Sequence, residues 1–402
     1  MIRSSDIGSC ARRADFIDGS IEEALAGREP LLFLPCDISD ADLWSYGRAS
    51  YDLRMYGTLA NGEKACVRVD DAPVYFDVDA SAGCPDWQIE NPESATGTAA
   101  AVVRRAEIDG IAMMRARFDE RHGVVEMRAV WQYPMHGFTL AKHLYIRVIF
   151  ASLNKRNECL RGMRFIAADL LEKCPNAIAH DDMGSYKSPS YFNALAREYH
   201  FATAGWNQLT RWRSHSRVSD GNTSRASAEY CGTYHEFVVS IADIHAAEAP
   251  RDAAEESARL HDRTLIESWD IEVENEVDSG DIPEVGGAYT ITTISLVYSF
   301  AWSETPLVCY VLTLYPSAPA RAEDFAMRTH FIACADERDL LITRARVSQR
   351  MMPDIRIAFN GACFDWKLFN DKVARYDAQR DVLRCMDLRW CASAMDDARE
   401  LE

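Results

Sequence analysis

The chain has 402 residues, 48% of them apolar, which is enough for two or three domains with their own cores and too apolar for a disordered chain. No uninterrupted apolar run reaches the length of a membrane-spanning helix, and Met1-Ile2-Arg3-Ser4-Ser5-Asp6 lacks the apolar core of a signal peptide. A net charge of −18 is the wrong sign for tight stand-alone binding to nucleic acid, although a local basic groove can sit on an acidic chain.

The first predicted unit is β-rich and spans 30–80. Leu31 to Leu34 is a short apolar run closed by Pro35. Tyr51–Leu59 and Lys64–Val69 flank Asn61-Gly62, a pair suited to a tight hairpin turn, and Val74–Val78 supplies a third strand. From Cys84 to Thr98 the chain is polar and broken by Pro and Gly, as a loop would be.

An α+β unit is expected over 100–250. His143–Phe150 reads as a buried strand leading into a helix over Lys155–Met163. Arg211–Arg225 is rich in Ser, Arg and Asn and reads as a surface loop, and 246–260 as a solvated helix or linker. These two units make up an amino-terminal region, 1–260.

The third unit, 261–402, has the clearest pattern. Thr264–Val273, Ile291–Trp302 and Leu307–Leu314 read as three strands, the last well buried. Asp336 can cap a helix in which Leu340, Val347 and Met351 share a face and which Pro353 ends. Ile355–Phe359 is a fourth strand. A helix follows with Phe369, Val373 and Tyr376 on one side.

Two motifs in this unit carry chemistry. In Trp269-Asp270-Ile271-Glu272, side chains two apart on a strand share a face, so Asp270 and Glu272 can converge. Paired carboxylates repel unless a cation neutralises them. In Phe359-Asn360-Gly361-Ala362-Cys363-Phe364-Asp365, a strand ends, a glycine turns the chain, and Asp365 begins a helix that can reach the first pair. Asp270, Glu272 and Asp365 are thus candidate ligands for two Mg²⁺ (or Mn²⁺) ions about 4 Å apart, which would activate water and stabilise a leaving oxygen. Asn360 and Phe364 would position a terminal nucleotide.

Other candidates are weaker. Arg211-Trp212-Arg213 with Arg217 could contact phosphate or a base, His143 and His180-Asp181-Asp182 a metal, but a structural role fits each better. Cys363 reads as a small core residue. The twelve cysteines are scattered without a CxxC pair and read as reduced thiols of a cytosol-like compartment.

Leu265–Glu272 resembles the first exonuclease motif of family B DNA polymerases, and Asn360–Asp365 the second. Pro30–Ile38, Leu53–Gly62, Tyr145–Phe150 and Glu337–Leu341 resemble the polymerases of large eukaryotic DNA viruses, the asfarvirus type especially; 84–140 matches poorly. The resemblance implies an α+β amino-terminal region followed by an incomplete α/β ribonuclease H-like 3′→5′ exonuclease domain. It also implies a role in viral DNA replication and proofreading, in the cytoplasm or a replication compartment. The implied partners are a single-stranded DNA 3′ end or primer-template and a carboxy-terminal polymerase portion, on the same or a separate chain, with no membrane.

The family's third exonuclease motif, a tyrosine four positions before the last metal-binding aspartate, is not found in the 37 residues after Asp365 (402 minus 365), and Tyr376 has Arg380 where the aspartate belongs. Leu314-Tyr315-Pro316-Ser317 superficially matches a polymerase motif but reads as a strand end and turn. Two alternatives to a polymerase piece remain open. One is a non-catalytic DNA- or replisome-binding fragment with a vestigial site; the other is a free-standing nuclease completed by Asp377, Asp381 or Asp387.

Overall fold

The structure, a computed structural model, describes residues 1–17, 25, 30–45, 48–80, 88–116, 123–133, 140–161, 191–214, 235–275, 283–315 and 327–386. In chain order the strands are β1 (Ile2–Arg3), β2 (Leu31–Ser45), β3 (Arg48–Leu59), β4 (Lys64–Asp70), β5 (Val74–Asp79), β6 (Gln88–Ile89), β7 (Val124–Gln132), β8 (Lys142–Phe150), β9 (Asn207–Leu209), β10 (Arg213–Ser214), β11 (His235–Ser240), β12 (Ile244–Ala246), β13 (Leu265–Asn275), β14 (Tyr289–Phe300), β15 (Val308–Thr313), β16 (Thr329–Ala333) and β17 (Ile355–Ile357). The helices are α1 (Gly97–Arg115), α2 (Phe192–Tyr199), α3 (Ala253–Leu260), α4 (Glu337–Met351), α5 (Asp365–Arg375) and α6 (Gln379–Met386). None of the described helices is long and apolar enough to cross a membrane.

The expected hairpin is present: β3 and β4 pair antiparallel from Leu53↔Val69 to Thr58↔Lys64 around Asn61-Gly62, with Gly62 at φ 93°. Pro35 does not close the first strand. β2 runs through it, and the register slips between Pro35 and Asp37, a bulge that accommodates a residue with no N–H to donate. Gly57 pairs with Pro35 there, and a Cβ on it would lie 1.9 Å from the Leu34 carbonyl oxygen.

The units drawn at 30–80 and 100–250 exchange strands. β5 leaves the first sheet and pairs with β8, from Val74↔Phe150 to Asp79↔Tyr145, while β9, β10, β11 and β12 join β2, β3 and β4 in a sheet ordered β10-β11-β4-β3-β2-β9-β12. Short local periodicity identifies a strand but not its neighbour, because pairing is decided by packing between distant segments. Each sheet keeps its own core. One centres on Phe33, Leu53, Met55, Val67 and Phe237, the other on Phe76, Val78, Leu144, Ile146 and Val148.

The third unit positions the candidate site. Its sheet is ordered β1-β16-β15-β14-β13-β17. β13, β14 and β15 are antiparallel in sequence, and β17 lies parallel to β13, with Ile266↔Ile355 and Ser268↔Ile357 in register. Two further strands complete the far side: β16 parallel to β15, and β1, from the start of the chain, parallel to β16.

β15 is not buried on both faces. Val308, Tyr310 and Leu312 are buried while Cys309, Val311 and Thr313 are half-exposed, the alternation of a sheet packed on one side. The buried face receives α4 as expected. Asp336 accepts a hydrogen bond from the Asp339 N–H at 2.8 Å, a cap that contributes about 1 kcal/mol. Leu340, Val347 and Met351 are fully buried, each contributing roughly 1.5–3 kcal/mol through burial, and the helix ends at Met351, with Met352 in the left-handed region before Pro353. Of the expected apolar face of α5, Phe369 and Val373 are buried. Tyr376 is 40% exposed and donates its hydroxyl to Glu337 at 2.7 Å.

Candidate active site

β13 divides its side chains strictly. Leu265, Glu267, Trp269 and Ile271 are buried toward the helices, and Asp270 and Glu272 are exposed on the opposite face. The two carboxylates therefore share a face, as their spacing requires. A register shift between Glu272 and Val273 opposite β14 follows at once, a bulge that bends the strand beside the acidic pair.

The second motif forms a strand–turn–helix connection. β17 ends at Ile357, and 359–364 is a turn. Asn360 sits at φ 56°, the left-handed region that asparagine tolerates better than most residues. A Cβ on Gly361 would approach that of Ala358 to 2.7 Å, so the turn closes too tightly for a side chain there. The turn delivers Asp365 as the first residue of α5, where a carboxylate faces the positive end of the helix. Asn360 is exposed and Phe364 half-buried; Cys363 is exposed rather than in the core, because the turn projects it outward.

Asp365 is 1% exposed, and its Oδ2 has no hydrogen-bond partner. Burial raises its pKa, the negative charge of Asp270 raises it further, and the backbone N–H groups of Asp365 and Ile271 offset this only in part. The fold thus sets Asp365 close enough to Asp270 to feel its charge, which links the two motifs. Among the described residues, no group of three or more His, Cys, Asp or Glu side chains is gathered to hold a metal ion. The orphaned Asp365 oxygen beside Asp270 fits one divalent cation, and Glu272 lies exposed on the same face of β13 as Asp270.

A buried cluster that the motifs did not flag lies on the helix-packed side of β13. Arg344, from the middle of α4, is fully buried and donates from Nη2 to Glu267 Oε1 at 2.8 Å and from Nη1 to Ser348 Oγ at 2.9 Å. Glu267 Oε2 accepts from Ser348 Oγ and from the Tyr298 hydroxyl, both at 2.6 Å. Burial pushes the Glu267 carboxyl up, but Arg344 and Arg356 pull it further down, so it is ionised. A second buried pair ties α5 to the sheet: Glu337 accepts from Lys372 at 3.1 Å and from the Ile291 N–H at 2.7 Å.

The weaker sequence candidates are engaged in structural contacts. Arg211 is paired with Asp243, Arg213 with Asp70 at 3.1 Å, and Trp212 packs edge-on against Phe237. His143 meets Asp79 at 3.0 Å. Asp381 pairs with Arg338 at 2.9 Å, and Asp377 is exposed at φ 49°. His180-Asp181-Asp182, Arg217 and Asp387 lie outside the described residues. The described cysteines are free.

Residues 225–383 match the family model for the DNA polymerase family B exonuclease domain. Over these residues the chain is similar to the exonuclease domains of family B DNA polymerases. Both motifs lie inside the match. The similarity extends beyond the exonuclease domain in two curated relatives, each described as "DNA polymerase beta" of African swine fever virus. The protein from a tick isolate from Malawi is 26% identical over 385 residues, 94% of this chain, and the one from a pig isolate from Kenya is 26% identical over 384 residues. The chain spans about a quarter of the length of these relatives (26% of each). Among solved structures, the family B DNA polymerase of the hyperthermophilic archaeon Pyrobaculum calidifontis aligns over 86% of this chain and 32% of its own, at 12% identity and a TM-score of 0.46.

Proposed function

We propose that this family B exonuclease domain hydrolyses the 3′-terminal phosphodiester of single-stranded DNA, as the amino-terminal and proofreading part of a viral DNA-directed DNA polymerase. The observation that carries the reading is the buried, unpartnered Asp365 oxygen set beside Asp270, one carboxylate from each exonuclease motif. Asp270 and Asp365 would hold Mg²⁺ or Mn²⁺, with Glu272 as a further ligand. When bound, such ions lower the pKa of water and neutralise charge on the leaving oxygen. Asn360, exposed at the turn, would hydrogen-bond the terminal nucleotide, and Phe364 would pack against its sugar or base. The primer-template and the polymerase portion are the partners this reading implies, consistent with the quarter-length match to the viral relatives.

A second reading is favoured by one observation: no three-carboxylate group is gathered among the described residues. In it the chain binds DNA or replication partners without cutting. Degradation of 3′-labelled and 5′-labelled single-stranded DNA with Mg²⁺ or Mn²⁺ separates the two. Stepwise loss from the 3′ end that Asp270→Ala and Asp365→Ala both abolish supports hydrolysis. A folded sample that binds the strand in EDTA and never cuts it supports the second reading.

A further inference from the structure

The guanidinium of Arg344 is enclosed by three aromatic rings as well as by its acid. Its central carbon lies 4.7 Å from the ring centre of Trp269, 5.2 Å from Trp366 and 5.5 Å from Phe369. The rings also touch one another edge-on, Trp269 to Trp366 at 4.6 Å and each tryptophan to Phe369 at 6.0 Å. Stability alone does not account for this arrangement. A buried ion pair repays its desolvation poorly, and apolar side chains of similar volume commonly serve a core as well or better.

The sequence positions of the rings give the arrangement its meaning. Trp269 immediately precedes Asp270 on β13, and Trp366 immediately follows Asp365 on α5. Alternation along the strand sends Trp269 down to Arg344 and Asp270 up to the open face. One cation, from a third element, therefore grips the residues adjoining both candidate ligands. A flat guanidinium suits this task, since it can stack on several rings while its edge hydrogen-bonds a carboxylate. Its charge is matched by Glu267, while Asp365 responds to burial and to Asp270, so its influence on the site is geometric.

We infer that Arg344 is a positioning residue that fixes the separation of Asp270 and Asp365, and with it the affinity of the domain for a divalent cation; the inference rests on the metal-dependent reading above. Its partners in the role are Glu267, which anchors the guanidinium, and Trp269 and Trp366, which transmit its position to β13 and α5.

The test compares the whole chain with Glu267→Leu/Arg344→Leu, which removes both buried charges together, and with Arg344→Lys, which keeps the charge but not the plane. Thermal unfolding reads stability. Near-ultraviolet circular dichroism without metal reads the coupled Trp269–Trp366 pair, and electron paramagnetic resonance reads Mn²⁺ binding. The expected result is a double variant as stable as wild type that loses the tryptophan couplet and binds Mn²⁺ about 10–100-fold more weakly, the usual penalty for losing a group that orients a metal ligand. Arg344→Lys should fall between the two. A stable double variant with the wild-type couplet and Mn²⁺ affinity overturns the inference. If the double variant does not fold, wild-type Mn²⁺ affinity and couplet in Arg344→Lys overturn it instead. Should wild type bind no Mn²⁺ that Asp270→Ala and Asp365→Ala remove, the metal-dependent reading itself fails and takes the inference with it, whatever the couplet shows.

Discussion

Asp354 accepts a hydrogen bond from Arg13 at 2.9 Å across 341 positions of sequence, and both side chains are buried. Lys64 reaches the same carboxylate at 3.3 Å from the hairpin of the first sheet, and the Leu265 N–H donates to it at 2.7 Å at the start of β13. Arg13 also donates to the carbonyls of Gly62 and Met352. The segment before β2, the hairpin and the exonuclease domain thus meet at one carboxylate. Arg13→Ala leaves Asp354 with one cation fewer in a dry site and should destabilise the protein by about 3–5 kcal/mol. Urea unfolding followed by circular dichroism measures it, and a cost below 1 kcal/mol would show that the three parts are held together otherwise.

The pH dependence follows from opposite shifts. Asp354 and Glu267 are held below the ordinary 3.8 and 4.5, despite burial, by Arg13 with Lys64 and by Arg344 with Arg356. In acid the unfolded chain then binds more protons than the folded one. Their contribution is full above pH 4.5 and is lost as pH falls through the lower folded values. Stability should drop steeply below about pH 4, and Asp354→Asn, less stable at pH 7, should show a shallower acid decline.

Asp365 behaves in the reverse sense. Burial and the neighbouring Asp270 raise it, so the folded state holds its proton more tightly, and the contribution present below 3.8 is lost as pH rises through the folded value. Asp365→Asn without metal should raise Tm at pH 7 by about 2–4 °C, the shift that roughly 1 kcal/mol gives in a domain of this size. The gain should vanish below pH 3.8. An unchanged Tm at pH 7 would mean that solvent or a rotated side chain already satisfies the carboxylate.

Asn360 has a backbone reason to be there as well as the chemical one proposed, and two substitutions separate them. Asn360→Gly preserves the left-handed turn at φ 56°, whereas Asn360→Ala strains it by about 1 kcal/mol. If the amide holds the terminal nucleotide, both variants should bind a single-stranded 3′ end more weakly. If the residue only makes the turn, Asn360→Gly should bind and cleave as wild type does.

Gly57→Ala offers a check on the bulge opposite Pro35. The added methyl would meet the Leu34 carbonyl at 1.9 Å, backbone that cannot step aside without parting β2 from β3. A loss of roughly 1–3 kcal/mol or more is expected, read by thermal unfolding. A neutral result would require that the two strands separate there at little cost.

The elements of the exonuclease domain that carry the candidate site were legible because each has a local signal. β13 and β14 alternate, Asp336 caps α4, and Asn360-Gly361 announces a turn. β16 was missed because Thr329–Ala333 has one fully buried residue, Ile332, and no period to read. β1 was missed for a stronger reason: two residues cannot carry a pattern, and their partner lies far along the chain. Arg344 was invisible because an arginine in a helix ordinarily marks the solvated face. Its burial becomes readable only when Trp269, Trp366 and Phe369 are known to converge on it. The two tryptophans flanking the two motifs were the one hint on offer.

The pairing of Ile2 with Ile332 has a consequence for synthesis. The ribosome delivers the chain from its amino terminus at roughly 5–20 residues per second, so β1 waits between about a quarter of a minute and a minute for β16 to emerge. During that interval the amino-terminal units can assemble around cores of their own, while the segment carrying Arg13 has no Asp354 to meet. β1 is therefore made well before the strand it pairs with, and its side of the sheet can form only once β16 has followed it out of the ribosome.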